Sequence, residues 1–236
     1  MKRTNPHKPP KAHAGDTPRK GAPRSDRGAE TRAQLIEAAL DIFGRLGYEG
    51  ATTRQIAKAA NANLAAIVYH FGSKEALYLA VAEHVIESIL VRIGPTLAKA
   101  AESAAIETPE AARTALHDLI GTLVDVLLGA AEAERWARFI VREQLQPTAA
   151  FDIIYNYMDY AISTALRMVA TILNVPEDEE IRLRAITVLG QVLVFRVAQT
   201  LVLRRMKWTA IGDRERATIK QVILQNLDAI LEGTKP

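Results

Sequence analysis

The sequence predicts an all-α protein in which an N-terminal three-helix domain with a helix-turn-helix precedes a larger C-terminal helical domain. Apolar residues recur at helical spacing from about residue 27 onward, and the alternating apolar and polar runs that are typical of strands are absent. Most glycines and prolines fall between the periodic segments rather than within them. We therefore expect about nine helices.

Four helices are predicted in the N-terminal part of the chain, at about residues 29–46, 54–60, 64–71 and 74–93. Gly47 follows the first of them, where a left-handed cap residue is wanted. We expect Thr52 or Thr53 to cap the second helix and Ser73 to cap the fourth. The dipeptide Gly94-Pro95 is expected to end the fourth helix.

Five amphipathic helices are predicted in the rest of the chain, at about residues 109–128, 131–145, 148–173, 177–207 and 213–232. Pro109 and Pro147 lie at helix starts, where proline is tolerated. The run Asn174-Val175-Pro176 indicates a turn, and Gly212-Asp213 separates the last two helices. The alanine-rich segment 96–108 is compatible with either a helix or a loop.

Composition excludes several kinds of protein. The 236 residues are 49% hydrophobic and 24% charged and contain no cysteine, which excludes disulfides, thiolate metal sites and cysteine nucleophiles. The N-terminus does not have the pattern of a secretory signal. Gln191, Arg196 and Arg204 interrupt the longest apolar runs, so none approaches the ~20 residues of a membrane helix. We expect a soluble protein.

The first 27 residues differ from the rest in charge. They carry eight basic and two acidic side chains, a net +6, whereas the remainder of the chain carries a net −3. Five prolines and few large apolar side chains in this segment predict a disordered basic arm over residues 1–27. The arm is compatible with a polyanionic partner or with a simple solvated tail.

The two short helices at 54–60 and 64–71 have the spacing of a helix-turn-helix, in which the second helix enters the DNA major groove. Asn61 suits the turn because asparagine tolerates a positive φ, and Asn63 suits the following N-cap. A helical wheel groups Leu64, Ile67, Val68 and Phe71 as the side that packs on the preceding helices.

The opposite side of that wheel presents Ala65, Ala66, Tyr69 and His70. Alanine methyl groups are suited to contact thymine methyls, and tyrosine can donate to a phosphate or a base. Lys74, at the next helix start, is suited to neutralise a phosphate. The alternatives are that Tyr69 and His70 are ordinary exposed aromatics and Lys74 an ordinary surface lysine.

The segment of about residues 27–79 resembles the DNA-binding domain of the TetR family. The resemblance is carried by Thr31–Leu40, Phe43, Gly47-Tyr48, Ala51–Ala57, Tyr69-His70-Phe71 and Ser73–Leu77. It implies that Thr53 and Arg54 begin the supporting helix, that residues 63–70 form the recognition helix and that Lys74 contacts the DNA backbone. The candidate DNA-binding residues are Thr52, Thr53, Arg54, Asn63, Leu64, Ala65, Ala66, Tyr69, His70 and Lys74. The sequence departs from the family in having Asn61 for the usual turn glycine, and Val68 followed by Tyr69 where an aromatic usually precedes the His-Phe pair.

The C-terminal half resembles a subgroup of that family with a CecR-type C-terminal domain, through residues 139–151 and 189–196. This resemblance implies a bacterial cytoplasmic, nucleoid-associated regulator of the kind that acts in drug and envelope-stress responses. It gives a domain organisation of a basic arm at 1–27, a DNA-binding domain at 28–76 and a ligand-binding and dimerisation domain at 77–236.

A single helix-turn-helix contacts too little DNA for tight specific binding, so we expect a homodimer on a palindromic operator. The last two helices are the candidate dimer surface, through Leu189, Val192, Leu193, Ala198, Leu201, Val202, Ile219, Val222, Ile223, Leu227, Ile230 and Leu231. The alternative is that these side chains complete the monomer core.

Aromatic and polar side chains between the two predicted functional regions are typical of an adaptable small-molecule pocket. The candidate effector residues are Trp136, Phe139, Arg142, Gln144, Phe151, Tyr155 and Met158. Plain core and helix-surface roles remain open for each. An effector that prefers a dimer whose two heads no longer fit the operator would relieve repression.

No catalytic residue, metal site or cofactor is predicted, because the five histidines form no metal-ligand pattern and neither a phosphate-binding glycine loop nor a nucleophile elbow is present. The expected function is that of a ligand-responsive repressor with no membrane partner. A helical protein-interaction module without sequence-specific DNA binding is the alternative. Activation in place of repression also remains open.

Overall fold

The computed structural model describes residues 24–102 and 107–232, and in these ranges the chain forms ten α-helices and no strand. The helices are α1 (Arg24–Gly50), α2 (Thr53–Ala59), α3 (Leu64–Phe71), α4 (Lys74–Ala101), α5 (Pro109–Gly129), α6 (Ala133–Leu145), α7 (Ala149–Leu173), α8 (Glu179–Val197), α9 (Gln199–Met206) and α10 (Asp213–Glu232). The all-α prediction is therefore confirmed, with one helix more than expected.

Helix α1 begins at Arg24, inside the segment predicted to be a disordered arm, and residues 1–23 of that arm lie outside the described residues. The helix is interrupted at Gly47, which has φ 76° and ψ 176°. Gly47 has the positive φ expected of a cap residue, but its ψ is far from the left-handed helical value of about 47°, and the backbone then continues in a further helical turn to Gly50. The interruption redirects the chain toward α2.

Helix α4 does not end at Gly94-Pro95 as the sequence predicted; it continues through Pro95 to Ala101. Proline removes one backbone hydrogen bond and costs about 3 kcal/mol inside a helix. After the proline, Leu97 and Ala100 are buried in the C-terminal core, together with Ile93 just before it. Burial of these side chains favours continuation of the helix. The Gly94-Pro95 dipeptide is a local sequence signal and carries no information about this tertiary packing.

The single helix predicted at 177–207 is also wrong, because the chain breaks at Ala198 and α9 leaves α8 at an angle of 73°. At the break, the Arg196 guanidinium donates to the carbonyl of Leu127 on α5 and to the Gln199 side chain 2.9 Å away. These contacts anchor the end of α8 to α5. No single helix within the described ranges is long and apolar enough to cross a membrane; the pairs α5–α6 and α8–α9 meet that criterion only across bends of 102° and 73°.

Two hydrophobic clusters form the core. One contains the buried side chains of α1 to α3, the first half of α4, and Trp136, Phe139 and Ile154 from α6 and α7. The other is formed by the end of α4 with α5, α7, α8 and α10. Because α4 contributes to both clusters and α6 packs with the N-terminal helices, the N-terminal core extends beyond the predicted boundary at residue 76.

Candidate nucleic-acid interface

The turn between α2 and α3 has the predicted geometry. Asn61 adopts a left-handed conformation with φ 49°, and its N–H donates to the Lys58 carbonyl at 3.2 Å. The N–H of Ala62 donates to the Ala57 carbonyl at 2.9 Å, which closes the turn. Asparagine therefore replaces the family's turn glycine without loss of the conformation.

Side chains fix the start of each helix around this turn. The Thr52 hydroxyl accepts the Gln55 N–H at 3.2 Å while the Gln55 side chain accepts the Thr52 N–H at 2.9 Å, a complete capping box. Asn63 Oδ1 accepts the Ala65 N–H at 2.9 Å, and Ser73 Oγ accepts the Ala76 N–H at 3.0 Å. All three caps agree with the sequence prediction.

The packing side of α3 is rotated from the one that the helical wheel predicted. Ile67 is buried and Phe71 is half-buried as expected, but Leu64 is exposed and Val68 is 65% exposed. Ala66 and His70 are half-buried in their place. The rotation is somewhat less than one residue step of about 100°. It arises because Ile67 packs between α1, α2 and α4. The eight residues of α3 alone cannot specify this packing.

The exposed side of α3 consequently consists of Leu64, Ala65, Val68 and Tyr69. Tyr69 is 83% exposed and meets the ring of His70 edge-on, with 4.9 Å between ring centroids. Val68 is a candidate DNA-facing residue that the sequence analysis assigned to the core. This side chain set is apolar and small apart from the one phenol.

The remaining candidate DNA-binding residues flank α3. Arg54 on α2 is exposed, and Thr53 is half-buried. Thr52 is exposed, but its hydroxyl is engaged in the capping box. Lys74 lies with its ammonium 4.3 Å from the Tyr48 ring centroid, a cation–π contact that holds the charge beside the start of α4.

Helix α6 of the C-terminal part lies along α1 through three arginines. Arg135 pairs with Glu37 at 2.7 Å, and Arg138 lies 3.7 Å from Asp41. Arg142 donates to the carbonyls of Gly44 at 3.4 Å and Arg45 at 3.0 Å. Of these arginines only Arg142 is among the residues predicted to be functional, although the spacing of the three places them on one side of α6.

A buried carboxylate joins α4, α6 and the start of α7. Glu143 is fully buried and accepts a hydrogen bond from the Tyr78 hydroxyl, while its other oxygen accepts the N–H and hydroxyl of Thr148, each at 3.0 Å. Burial, followed by the hydrogen bond to Glu143, raises the pKa of Tyr78 well above 10.0. This network was not predicted from the sequence, because Tyr78 lies 65 residues from Glu143 in the chain.

The candidate effector residues are dispersed over α6 and α7. Trp136 and Phe139 are buried in the N-terminal core cluster. Phe151 and Tyr155 stack on each other with 6.0 Å between centroids. Gln144 reaches Met158, and Arg142 contacts α1. Their assignment to an effector site stays a prediction.

The predicted dimer residues divide into two groups. Contrary to the expectation of a partner-facing role, several are buried in the C-terminal core of the monomer: Val192, Ile219, Ile223, Leu227 and Leu231. Leu193, Leu201 and Val222 are exposed, and Leu189, Ala198, Val202 and Ile230 are intermediate. Exposed apolar side chains that the prediction omitted lie at Leu183, Ile186, Val194 and Val197 of α8.

A capped helix-turn-helix whose second helix is exposed, carried on a helical body, is typical of DNA-binding regulators. In the part of the chain that the structure describes, no group of three or more His, Asp or Glu side chains could hold a metal ion.

Comparison with known proteins agrees with that class. Residues 35–81 match the family of bacterial regulatory proteins named for TetR, and residues 112–234 match the C-terminal domain of the HTH-type transcriptional dual regulator CecR. The CecR regulator of Shigella flexneri is 34% identical over 88% of this chain and 94% of its own length. The chain therefore belongs to the TetR family of transcriptional regulators, in the group with a CecR-type C-terminal domain, and that family consists of regulators rather than enzymes.

Solved structures support the fold. AibR, determined with isovaleryl coenzyme A and operator DNA, superposes with a TM-score of 0.60 at 15% identity, covering 82% of this chain and 96% of AibR. The ketosteroid transcriptional regulator of Mycobacterium tuberculosis gives a TM-score of 0.58 at 17% identity, covering 87% of this chain and 95% of that protein.

Proposed function

We propose that the chain is a dimeric repressor that binds a palindromic operator and is released by a small-molecule effector. The observation that carries the proposal is the exposed side of α3, with Tyr69 at its centre, fixed in position by the Asn61 turn and the Asn63 cap. Such a helix enters the major groove with these side chains toward the base edges.

The contacts of α3 follow from its exposed side chains. The methyl groups of Ala65 and Val68 are placed to meet thymine methyls, and the Tyr69 hydroxyl to donate to a base or phosphate. Asn63 uses Oδ1 for its cap and keeps its amide N–H groups for the DNA. Thr52, Thr53, Leu64, Ala66 and His70 support the interface at its edges, Thr52 through the backbone geometry of the α2 start.

Phosphate contacts come from cations beside α3. Arg54 is exposed on α2 and has no ion-pair partner among the residues that the structure describes. Lys74 is already held over the Tyr48 ring, so its side chain loses less conformational entropy when it binds a phosphate. These two charges position the N-terminal DNA-binding helices α1 to α3, here called the head, on the DNA backbone without contributing to sequence specificity.

The dimer contact is supported by the outer side of α8. Leu183, Ile186, Val194 and Val197 are exposed at spacings of three and four residues around Gly190, so they form one stripe. A Cβ atom at Gly190 would meet nothing within 4 Å, which leaves room for a partner helix to approach closely. With exposed Val222 of α10, this stripe fits a four-helix bundle of two copies.

The effector response is supported by the attachment of α6 to α1. A ligand that displaces α6 moves Arg135, Arg138 and Arg142, and through their contacts it also moves α1 of the DNA-binding domain. Structural neighbours bind isovaleryl coenzyme A in one case and are named for ketosteroids in another. We propose Trp136, Phe139, Arg142, Gln144, Phe151, Tyr155 and Met158 as the region through which the effector acts.

The test is selection of bound fragments from a random DNA pool with the full chain, followed by footprinting and measurement of the mass of the complex. A palindrome with half-sites about one helical turn apart, bound by two copies, is the expected result. A set of fragments without a shared sequence would contradict the proposal and favour a protein-interaction module. Isolation of a single half-site bound by one copy would contradict the dimer.

A further inference from the structure

A cleft of about 400 Å³ lies between the end of α1, one side of α6 and the end of α8. Its charged lining residues are Glu134, Arg138, Arg142 and Arg196, and Gly44 of α1 forms part of its wall. Its volume is within the range of small-molecule sites. Among the proposed effector residues, Arg142 alone lines this cleft, so it is a different place from the aromatic side chains of α6 and α7.

Two guanidinium groups in the cleft have no acidic partner among the residues that the structure describes. Arg142 and Arg196 are half-buried, and neither forms an ion pair with a carboxylate of the described residues. Their hydrogen bonds go to neutral acceptors: the carbonyls of Gly44 and Arg45 for Arg142, and the Leu127 carbonyl and Gln199 side chain for Arg196. Arg142 uses its Nε and one Nη in this way, which leaves further N–H groups to donate.

The acidic side chain in the cleft is already engaged. Glu134 pairs with Arg138 at 2.6 Å, and Arg138 also lies 3.7 Å from Asp41. Burial lowers the pKa of Arg196, and the charge of Glu134 acts in the opposite direction without making contact. Partly buried cations with little compensating charge favour an anionic ligand.

Apolar side chains line the same cleft. They are Ala137, Val141 and Leu145 of α6 and Val197, which also belongs to the proposed dimer stripe of α8, and Leu145 is 76% exposed. A cleft that holds an exposed leucine and two guanidinium groups without an ion pair to the described residues fits a ligand that carries both an apolar chain and an acid. Inorganic anions would gain nothing from the apolar wall, and uncharged apolar molecules nothing from the arginines.

We propose that this cleft binds a small amphiphilic carboxylate, with the acid group at Arg142 and Arg196 and the apolar chain along Val141 and Leu145. The inference goes beyond the proposed DNA-binding function and does not need it, because binding is measured without DNA. Gly44 of α1 forms part of the wall, so occupancy of the cleft would be linked to the position of α1 against α6.

The test is equilibrium dialysis of the full chain with decanoate, with acetate and decyltrimethylammonium as comparison probes. Decanoate should bind, and Leu145→Asp and Arg196→Gln should each weaken its binding by about tenfold or more. Val91→Asp is the matched control, since Val91 is 77% exposed on α4 and does not line the cleft, and it should bind like the parent. Circular dichroism of each variant verifies the fold.

Four results would overturn the proposal. The first is a failure of decanoate to bind at concentrations up to about 1 mM. The second is undiminished binding to Leu145→Asp, which would place the probe elsewhere. Binding of decyltrimethylammonium as tight as that of decanoate would remove the role of the arginines. Conversion of a dimer to a monomer by Leu145→Asp, but not by Val91→Asp, would show that a second copy covers the cleft.

Discussion

The Tyr78 hydroxyl on α4 donates a hydrogen bond to the carboxylate of Glu143 on α6, across 65 residues of sequence. The second carboxylate oxygen accepts two bonds from Thr148, the N-cap of α7. One buried side chain therefore fixes three helices at the point where the N-terminal head meets the body. This arrangement constrains α4 and α6, both of which contact α1.

Replacement of Glu143 by Gln should lower the free energy of unfolding by about 2–3 kcal/mol, because an amide cannot accept all three hydrogen bonds that the carboxylate accepts. Urea denaturation measures the change. Glu83→Gln, at an exposed position of α4, makes the same chemical change and should have little effect. Equal stability of Glu143→Gln and the parent would show that the network contributes nothing.

Stability should depend on pH through Tyr78. The pKa of Tyr78 is raised in the folded state, first by burial, so the folded chain retains a proton that the unfolded chain loses near its ordinary value of 10.0. The contribution is therefore complete below that pH and is lost as pH rises toward the folded pKa. Urea midpoints measured from about pH 8 to pH 11 should fall more steeply for the parent than for Tyr78→Phe. Parallel curves for the two proteins would exclude this source of alkaline sensitivity.

Substitution of Gly47 by Ala should destabilise the fold by about 1–3 kcal/mol. Gly47 has φ 76°, and a Cβ atom there would lie 2.7 Å from Arg142 Nη1. The matched control is Gly94→Ala in α4, where a Cβ meets nothing within 4 Å, and it should raise stability by about 0.5–1 kcal/mol. Thermal unfolding of both variants tests the opposite signs, and a neutral Gly47→Ala would refute the close approach of α6.

Removal of the Tyr69 side chain should weaken binding to the selected operator by about 1–3 kcal/mol, while binding to unrelated DNA changes little. The reason is its exposed position on α3, which places the phenol at the base edges or adjacent phosphates. Tyr160→Ala, an exposed tyrosine on α7, serves as control. Fluorescence anisotropy with both DNAs measures the difference, and equal losses on both would assign Tyr69 to non-specific contact.

Lys74→Ala should lower affinity for all DNA sequences and reduce the salt dependence by about one charge. Lys99→Ala removes the same charge from the last turn of the same helix, far from α3 in sequence. It should leave the slope of log affinity against log salt unchanged. A titration series at several salt concentrations provides the measurement, and identical slopes for Lys74→Ala and the parent would exclude a phosphate contact.

Much of the head could be predicted from sequence because its determinants are local. The caps at Thr52, Asn63 and Ser73 and the left-handed Asn61 depend on residues at most three positions away. Short-range hydrogen bonding of this kind is encoded by residue type and spacing.

The structure differs from the sequence prediction where contacts with residues distant in the chain determine the local conformation. Helix α4 continues past Pro95 because Leu97 is buried in the C-terminal core. The bend at Ala198 accompanies the hydrogen bond from Arg196 to α5. The rotation of α3 that exposes Val68 depends on how Ile67 packs against α1, α2 and α4. None of these partners lies within the window in which helical periodicity is read.

Helix α4 also has a consequence for engineering. Its first half is buried with the head and its second half with the body, and the head's core is completed by Trp136 and Phe139 from α6. A chimera that joins this head to another regulator's body at residue 76 would lose those two aromatic side chains and the arginines facing α1. The transferable unit is therefore discontinuous in sequence: the N-terminal helices together with the α1-facing side of α6.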